Sequence, residues 1–543
     1  AWVMGIVQIT DWTSGTSVDG TVINTLGSTD ATYRWSEGAW SAERGFPCCG
    51  AMHEQRIMAA CTDYKPNGLW SSRTFAKAGD YRTMYAGSDA DDAIDRPLDI
   101  ADGIQWLVST WVLLAGTQGG VYKIVGPSEG QPITPVNLNV IPQSAMGSCS
   151  LQPVRIAGQI VYAGLNAKRV YELTYSDDAR MYNPADLTRW ADHIAKSGTV
   201  DWAFQQQPYP VLWAVTGDGY LIGVVRDRDS ELLAWFRRTT DGLFESVAVI
   251  SGDEEDEVWC VVNRTVSGVA TRCVEQMQPF DWGDDQADCF FVDSGYTWDG
   301  GAALTITNIT VAGGTNRVTV TAANSLTDGD KVKLAAVVGM TEVNGKVYTV
   351  ADRTAANFVL KTRDGTAYID GSAFTAYTSG GTVSEVTNTI TGLTHLASET
   401  VKVLLDGQPG DATVTAAGVY LAGTRDRHYY NTVQIGRPYT AKLQPMRPEV
   451  RTVQGTVQAQ KKKVVHCAVR VYETAGGKLG SSATDCGDII YRKDGDLAGA
   501  DVELVTRDLM TTHPGGWTDD GDIYIETDDP LPMTIMGIEF GME

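Results

Sequence analysis

No stretch of the chain approaches the roughly 18 uncharged apolar residues that a membrane-spanning helix needs. The regular lipid-facing alternation of a transmembrane barrel is missing as well, so a soluble protein is expected. Histidine is scarce. The six residues His53, His193, His395, His428, His466 and His513 are too dispersed to suggest a metal cluster. There is no GxSxG elbow, no GxxxxGK[ST] loop, no HExxH and no dinucleotide fingerprint. No catalytic residue, cofactor or metal ligand is therefore assigned, and an enzyme is not expected. Basic side chains are outnumbered 43 to 67, giving a formal charge of −24. That balance disfavours wrapping nucleic acid, which needs concentrated Lys and Arg. It equally suits plain solubility or a like-charged wall from which DNA is repelled. Nine cysteines, odd in number and diffusely spread, do not make a secreted disulfide framework. Buried free thiols and assembly in a reducing cytosol are expected.

What is present is turn and strand chemistry. With 57 Gly, 15 Trp and 22 Tyr, the 543 residues suit many turns between strands bearing large side chains, in two or more domains. From Gly103 to Met277, segments such as "WVLLAGTQGGVYKIVG" and "VLWAVTGDGYLIGVV" each place two strand-sized apolar runs about a Gly-containing turn. Their spacing is too short for crossover helices. It predicts an all-β fold: a β-propeller-like body with additional β domains. One helix is predicted, over Tyr182–Gly198, with Asn183 as cap, Pro184 in the first turn and Leu187, Trp190, Ala191 and Ile194 on one face.

The domain reading follows composition. Residues 1–45 are a Thr-, Ser- and Gly-rich strand or linker region expected to continue an absent upstream segment. Residues 46–300 are the first part of the propeller-like body. Residues 301–387, poor in Trp and Met, form an inserted small β-barrel or sandwich module. The β body resumes over 388–450, and 451–543 form a C-terminal β region completing it.

Acidic loops stand out. Asp253, Glu254, Glu255, Asp256 and Glu257 run consecutively before a strand, and Asp89, Asp91, Asp92, Asp95 and Asp99 crowd "SDADDAIDRPLD". The second set has oxygen ligands two residues apart but lacks the central glycine and terminal glutamate of an EF-hand, so calcium and a solvated loop both stay open. Trp190 and the "TRDRHYY" residues Arg425, Arg427 and His428 are candidate interface positions. Lys461, Lys462 and Lys463 precede an alternating strand and are expected at an exposed, guarded edge. For a glycosidic carboxylate pair, Asp201, Asp218, Glu231 and Asp293 are the first to inspect.

Three phrases go beyond pattern: "DDAIDRPLDIADGIQWLVSTWVLLAGTQGGVYKIVG", "IPQSAMGSCSLQPVRIAGQIVYAG" and, above all, "ELLAWFRRTTDGLFESVAVISGDEEDEVWCVV". Here the chain resembles the tail nozzle proteins (tail tubular protein B) of short-tailed bacteriophages, closely over about 45–290 and more loosely over 388–543. The stretch "SLTDGDKVKLAAVVGMTEVNGKVYTVADRTAANFVL" resembles the small FCCH β module named after ubiquitin-activating enzymes, without their adenylation loop. The nozzle resemblance implies a structural virion protein of the tail, assembled in the host cytoplasm. It implies a homohexamer below a tail adaptor (tubular protein A-like) ring, accompanied by tail fibres or spikes. Double-stranded DNA would pass through its lumen without sequence-specific binding, and its distal end would face the host outer surface. In that setting the acidic loops at Asp253–Glu257 and Asp89–Asp95 become candidates for the channel or its rim. The alternative is a receptor-binding or polysaccharide-degrading tail spike or fibre.

Overall fold

The computed structural model describes residues 5–84, 86–128, 130–228, 230–423, 425–447, 451–452, 455–456, 460–491 and 504–543. Two compact units emerge: Ala1–Pro153 with Leu173–Pro184, and Val154–Glu172 with Ala185–Glu543. The fold is all-β. Among the described residues the only α-helix is the single turn Phe75–Ala78.

In the first unit, Cys49–His53, Arg56–Ala60, Gly68–Ser71 and Asp95–Pro97 form one antiparallel sheet in sequence order. Ile104–Ser109, Leu113–Thr117, Val121–Val125 and Asn139–Ser144 form a second. Met58, Leu69, Ile94, Leu107, Leu113 and Ile124 bury a shared core between them. The predicted strand at Trp111 starts two residues late, because Thr110 turns back to bond Val112 and leaves Trp111 exposed. Gly116 stands opposite Trp106, and any Cβ there would overlap the indole, so the ring lies flat across a bare backbone. Val154–Ile156, Gln159–Ala163, Val170–Ser176 and Met181–Asp186 form a third sheet, within which the unit boundaries fall.

The second unit continues the plan. Thr199–Gln205, Val211–Thr216, Leu221–Asp227 and Leu232–Arg238 make a fourth sheet, with Gly223 opposite Phe236 repeating the glycine-and-ring device. Leu243–Ser251, Asp256–Val266 and Val269–Gln276 make a fifth, which has three strands. Along Asp256–Val266, Val258, Cys260, Val262 and Arg264 are buried at every second position. That period of two sends one face into the core with Trp213 and Leu221.

The predicted helix over Tyr182–Gly198 is absent. Met181–Asp186 is a strand, and the Tyr182 N–H donates to Gln143 Oε1 at 3.1 Å. Asp186 then accepts from Thr188 N at 2.8 Å, closing a tight turn. Backbone bonds from Ala191 to Thr188, Ile194 to Ala191 and Gly198 to Ala195 all span three residues. Successive turns therefore bury Leu187, Ala191 and Ala195 while Trp190 stays 85% exposed. The same apolar spacing arises from turns as from a helix.

Asp293–Asp299 and Thr432–Arg437 pair with each other, in a sheet completed by Thr400–Leu405 and Gln408–Thr413. The chain leaves this sheet after Asp299, paired with Thr432, and returns at Thr387, which bridges Tyr430. Seven antiparallel strands, ordered Leu304–Thr305, Thr382–Glu385, Lys331–Ala335, Val347–Ala351, Asn357–Lys361, Val318–Thr321 and Asn308–Val311, build a module with its own core. Asn431 pins the neck, donating from Nδ2 to the carbonyls of Gly301 and Glu385.

Near the C-terminus, Val464–Thr474 is the central strand between Val505–Thr512 and Thr534–Met542. The expectation that Lys461–Lys463 guard an open edge fails here, since both neighbours of that strand are occupied. Lys462 is only 4% exposed and exchanges backbone bonds with Thr518, while Lys463 exchanges them with Glu543.

Phe358 lies fully buried at the centre of the module core. Phe358→Ala is expected to destabilise the module by about 3–5 kcal/mol, read as a shift of its transition in calorimetry.

Candidate functional site

Residues 253–257 form the tip of the hairpin between Leu243–Ser251 and Asp256–Val266. Three of the five acids are engaged within the fold. Glu255 Oε1 accepts from the Phe280 N–H at 2.9 Å, and burial raises its pKa. Asp256 Oδ2 accepts from the N–H groups of Gln206 and Gln207 at 2.7 and 3.1 Å. Glu257 Oε2 accepts from Trp259 Nε1 at 3.0 Å. Asp253 and Glu254 are the exposed charge at this tip.

The other acidic loop converges on a cation the chain itself supplies. Asp89, Asp91 and Asp92 offer oxygens within 4.8 Å of one another. Lys77 Nζ donates to all three, at 3.2, 3.0 and 2.9 Å, and Arg73 adds an ion pair to Asp92 at 3.0 Å. Arg56, buried beneath, donates to the carbonyls of Ala90 and Asp92. An ammonium thus occupies the focus at which calcium was considered. The bond to Lys77 lowers the pKa of Asp91 and of Asp92. Asp95 belongs to the neighbouring strand, opposite Trp70, outside the cluster.

Arg425, Arg427 and His428 sit at a 3₁₀ turn, Asp426–His428, near the module neck. Arg363, from the module, pairs with Asp426 at 2.6 Å. Arg427 Nε donates to His428 Nε2 at 3.2 Å. Among the four carboxylates considered for sugar cleavage, Asp201 accepts from Ser246 Oγ and Val247 N, and Asp218 from Ser197 and Thr216 hydroxyls. Glu231 is exposed in a hairpin turn. Asp201 and Asp218 are thus committed to contacts within the fold. Of the cysteines, Cys260, Cys289 and Cys467 are buried as expected, whereas Cys48 is exposed. Burial pushes the Cys61 thiol up to about 12, the range of an unreactive thiol.

Asp293 belongs to a polar cluster that pattern reading missed. Arg264, 2% exposed, clasps Glu275 through Nε and Nη2 at 2.6 and 2.7 Å. Its Nη1 reaches Thr240 Oγ1 at 2.8 Å and the Asp241 carbonyl at 2.6 Å. Arg437, equally buried, pairs with Asp241 and, at 3.3 Å, with Glu399. The signal for Arg264 was in the sequence, since it keeps the inward phase of Val258, Cys260 and Val262; a charge on that phase requires a partner. Beside this cluster opens a cavity of about 740 Å3, whose lining includes Arg238, Phe280, Trp282, Phe290, Asp293 and Tyr439. Asp293 Oδ2 is buried without a hydrogen-bond partner. Burial raises the Asp293 pKa against the lowering influence of Thr240 and Arg264. Burial also pushes Tyr439 up to about 12.

Mutating Arg264 to Ala is expected to cost about 3–5 kcal/mol by stranding Glu275, measured by denaturant unfolding. Lys77→Ala frees Asp89 and Asp91 and leaves Asp92 to Arg73; a calcium-dependent rise in melting temperature is expected in that variant and not in the parent chain. Because the Asp91 and Asp92 pKa values are depressed, their contribution is complete above the ordinary carboxylate range and is lost as pH falls through the lowered values. Hydrogen exchange in this loop should therefore accelerate below about pH 4, and Lys77→Ala should abolish that step.

Residues 315–387 match the family model described as the ubiquitin-activating enzyme E1 FCCH domain. No curated protein matches the chain. Solved structures similar to it include human WBSCR16, 10% identical over 63% of this chain and 88% of that one, with a TM-score of 0.26. A protein from Lactobacillus plantarum is 11% identical over 69% of this chain and 100% of its own, at 0.27. The Cps50 (Swd1) β-propeller domain of Myceliophteria thermophila is 8% identical over 72% and 96%, also at 0.27. At these scores the likenesses carry no argument about fold or function.

Proposed function

We propose that the chain is the nozzle subunit of a short phage tail, a structural protein whose sixfold ring retains genomic DNA and then conducts it. In this reading the five successive antiparallel sheets are blades of a propeller-like body. The seven-stranded module is a closed barrel or sandwich that decorates the ring. An adaptor ring lies above, with fibres or spikes alongside and the host surface below. The observation that carries it is the phrase from Glu231 to Val262, where the resemblance is most specific. In the fold this phrase runs from one sheet to the next, and its Thr240 and Asp241 anchor Arg264 and Arg437. Its signature residues are thus fold-holding residues, as a family defined by a wall rather than by chemistry requires.

Two further features support assembly and conduction. Ile6–Ser14 and Ser17–Asn24 form a two-stranded ribbon on which Val7, Ile9 and Trp12, with Val18 and Val22, share one face by register. All of these are exposed, Trp12 at 69%. Such a ribbon is marginal in water alone, so an apolar face left open suits burial in an assembly. Asp253 and Glu254, free of the caps that occupy their neighbours, suit a surface that repels phosphate.

Mass photometry tests the reading: six copies of the 58.6 kDa chain are expected. A monomer overturns it, and a trimer that cleaves polysaccharide favours the spike alternative. Trp12→Asp should lower the assembled fraction. Asp253→Lys with Glu254→Lys should leave the ring intact but slow DNA passage in a salt-dependent manner.

A further inference from the structure

The cavity beside the fifth sheet has no part in the tail reading, and its chemistry is specific. Its volume of about 740 Å3 lies within the roughly 300–1,000 Å3 of small-molecule sites. Phe280, Trp282 and Phe290 supply aromatic surface, and Arg238, Asp293 and Tyr439 supply polar groups. Arg264 also borders it, but its guanidinium is already clasped by Glu275 and by Thr240 and Asp241.

We propose that this cavity binds a neutral carbohydrate ring, held between its aromatic side chains and the Arg238, Asp293 and Tyr439 group. Three alternatives fit less well. An organic anion meets Glu275, Asp281, Asp288 and Asp293, against Arg238 and the already paired Arg264. An organic cation meets the Arg238 guanidinium, which the Arg264–Glu275 pair does not neutralise. A purely apolar ligand would leave the buried Asp293 oxygen unpaired, at a desolvation cost that nothing offsets. Hydroxyl groups both donate and accept, so a polyol answers a guanidinium, a phenol and a carboxylate together. The C–H faces of its ring match aromatic surface. The inference requires binding only, with no bond made or broken. Oxygen-rich ligands of this class also need none of the satisfied carboxylates Asp201 and Asp218.

Saturation-transfer NMR on the full-length protein tests it, with glucose, galactose, N-acetylglucosamine and rhamnose as probes at millimolar concentration, and putrescine and tetramethylammonium as cationic comparators. At least one sugar is expected to bind. Phe280→Ala and the isosteric Asp293→Asn should each weaken that binding about tenfold or more. Thermal melts check that each variant folds, and Asp293→Asn keeps the test decisive should Phe280→Ala fail to do so. Silence from all the sugars overturns the proposal, as does binding of the amines alone or sugar binding unchanged in a folded variant. The oligomeric state measured separately decides the tail reading, so either inference can fail without the other.

Discussion

A buried guanidinium holds the larger unit together. Arg264 stands on the core-facing phase of its strand, where an unpaired charge would cost several kcal/mol. Glu275, on the adjacent strand and paired in register with Cys260, takes two of its hydrogen bonds. The remaining N–H groups bind Thr240 and Asp241, which fixes the turn leading from the fourth sheet into the fifth. Asp241 is thereby positioned for Arg437, whose other contacts, Glu399 and the Thr265 carbonyl, belong to different segments. One desolvated side chain thus sets the path of a turn, and that turn sets the partner of a second desolvated side chain. Replacing Arg264 by an apolar residue of similar volume strands Glu275 and also removes the reason for residues 240–241 to sit where Arg437 needs them.

Acidity in this chain is partly structural currency and partly surface. At residues 253–257 the carboxylates of Glu255, Asp256 and Glu257 satisfy N–H groups that the hairpin tip and its neighbours would otherwise leave unpaired. At residues 89–92 three carboxylates are neutralised largely by Lys77 and Arg73. The number of acids in the second loop therefore overstates the field it presents to a passing polyanion. The repelling charge of the first loop rests on Asp253 and Glu254, and the second loop contributes much less than its composition suggests.

What was legible in the sequence was local. The strands of "WVLLAGTQGGVYKIVG" and "VLWAVTGDGYLIGVV" are written in apolar runs about residues that accept positive φ, as Gly219 does. The inserted strands were legible for the same reason. The 182–198 segment misled because i, i+3 and i, i+4 spacing of apolar residues also results when three-residue turns follow one another. Lys461–Lys463 misled because a charge run reads as exposed. Lys462 nevertheless lies beside Gly521, where its aliphatic stem covers the chain. The candidate sites were least legible. Lys77 lies 12 to 15 residues from its acidic partners, and Arg437 lies 196 from Asp241, so nothing in either neighbourhood announces the pair.

Asp293 shows how such a network can leave one group unsatisfied. It opens the strand that pairs with the one ending in Arg437, so its backbone position follows from that register. The carboxylate then lies between opposing influences: burial disfavours its charge, Thr240 and Arg264 favour it, and Glu275 disfavours it again. Of the two cations that favour its charge, Arg264 is already committed to Glu275 through two short bonds, and Arg238 borders the same cavity. A fold seeking only stability would place an amide or an apolar residue there, at little cost to the strand pairing. The carboxylate borders the aromatic-lined cavity, with Oδ2 buried and without a hydrogen-bond partner. The same buried arginine thus clasps one acid with two hydrogen bonds and reaches the other only through its field, while Thr240 bonds that second acid.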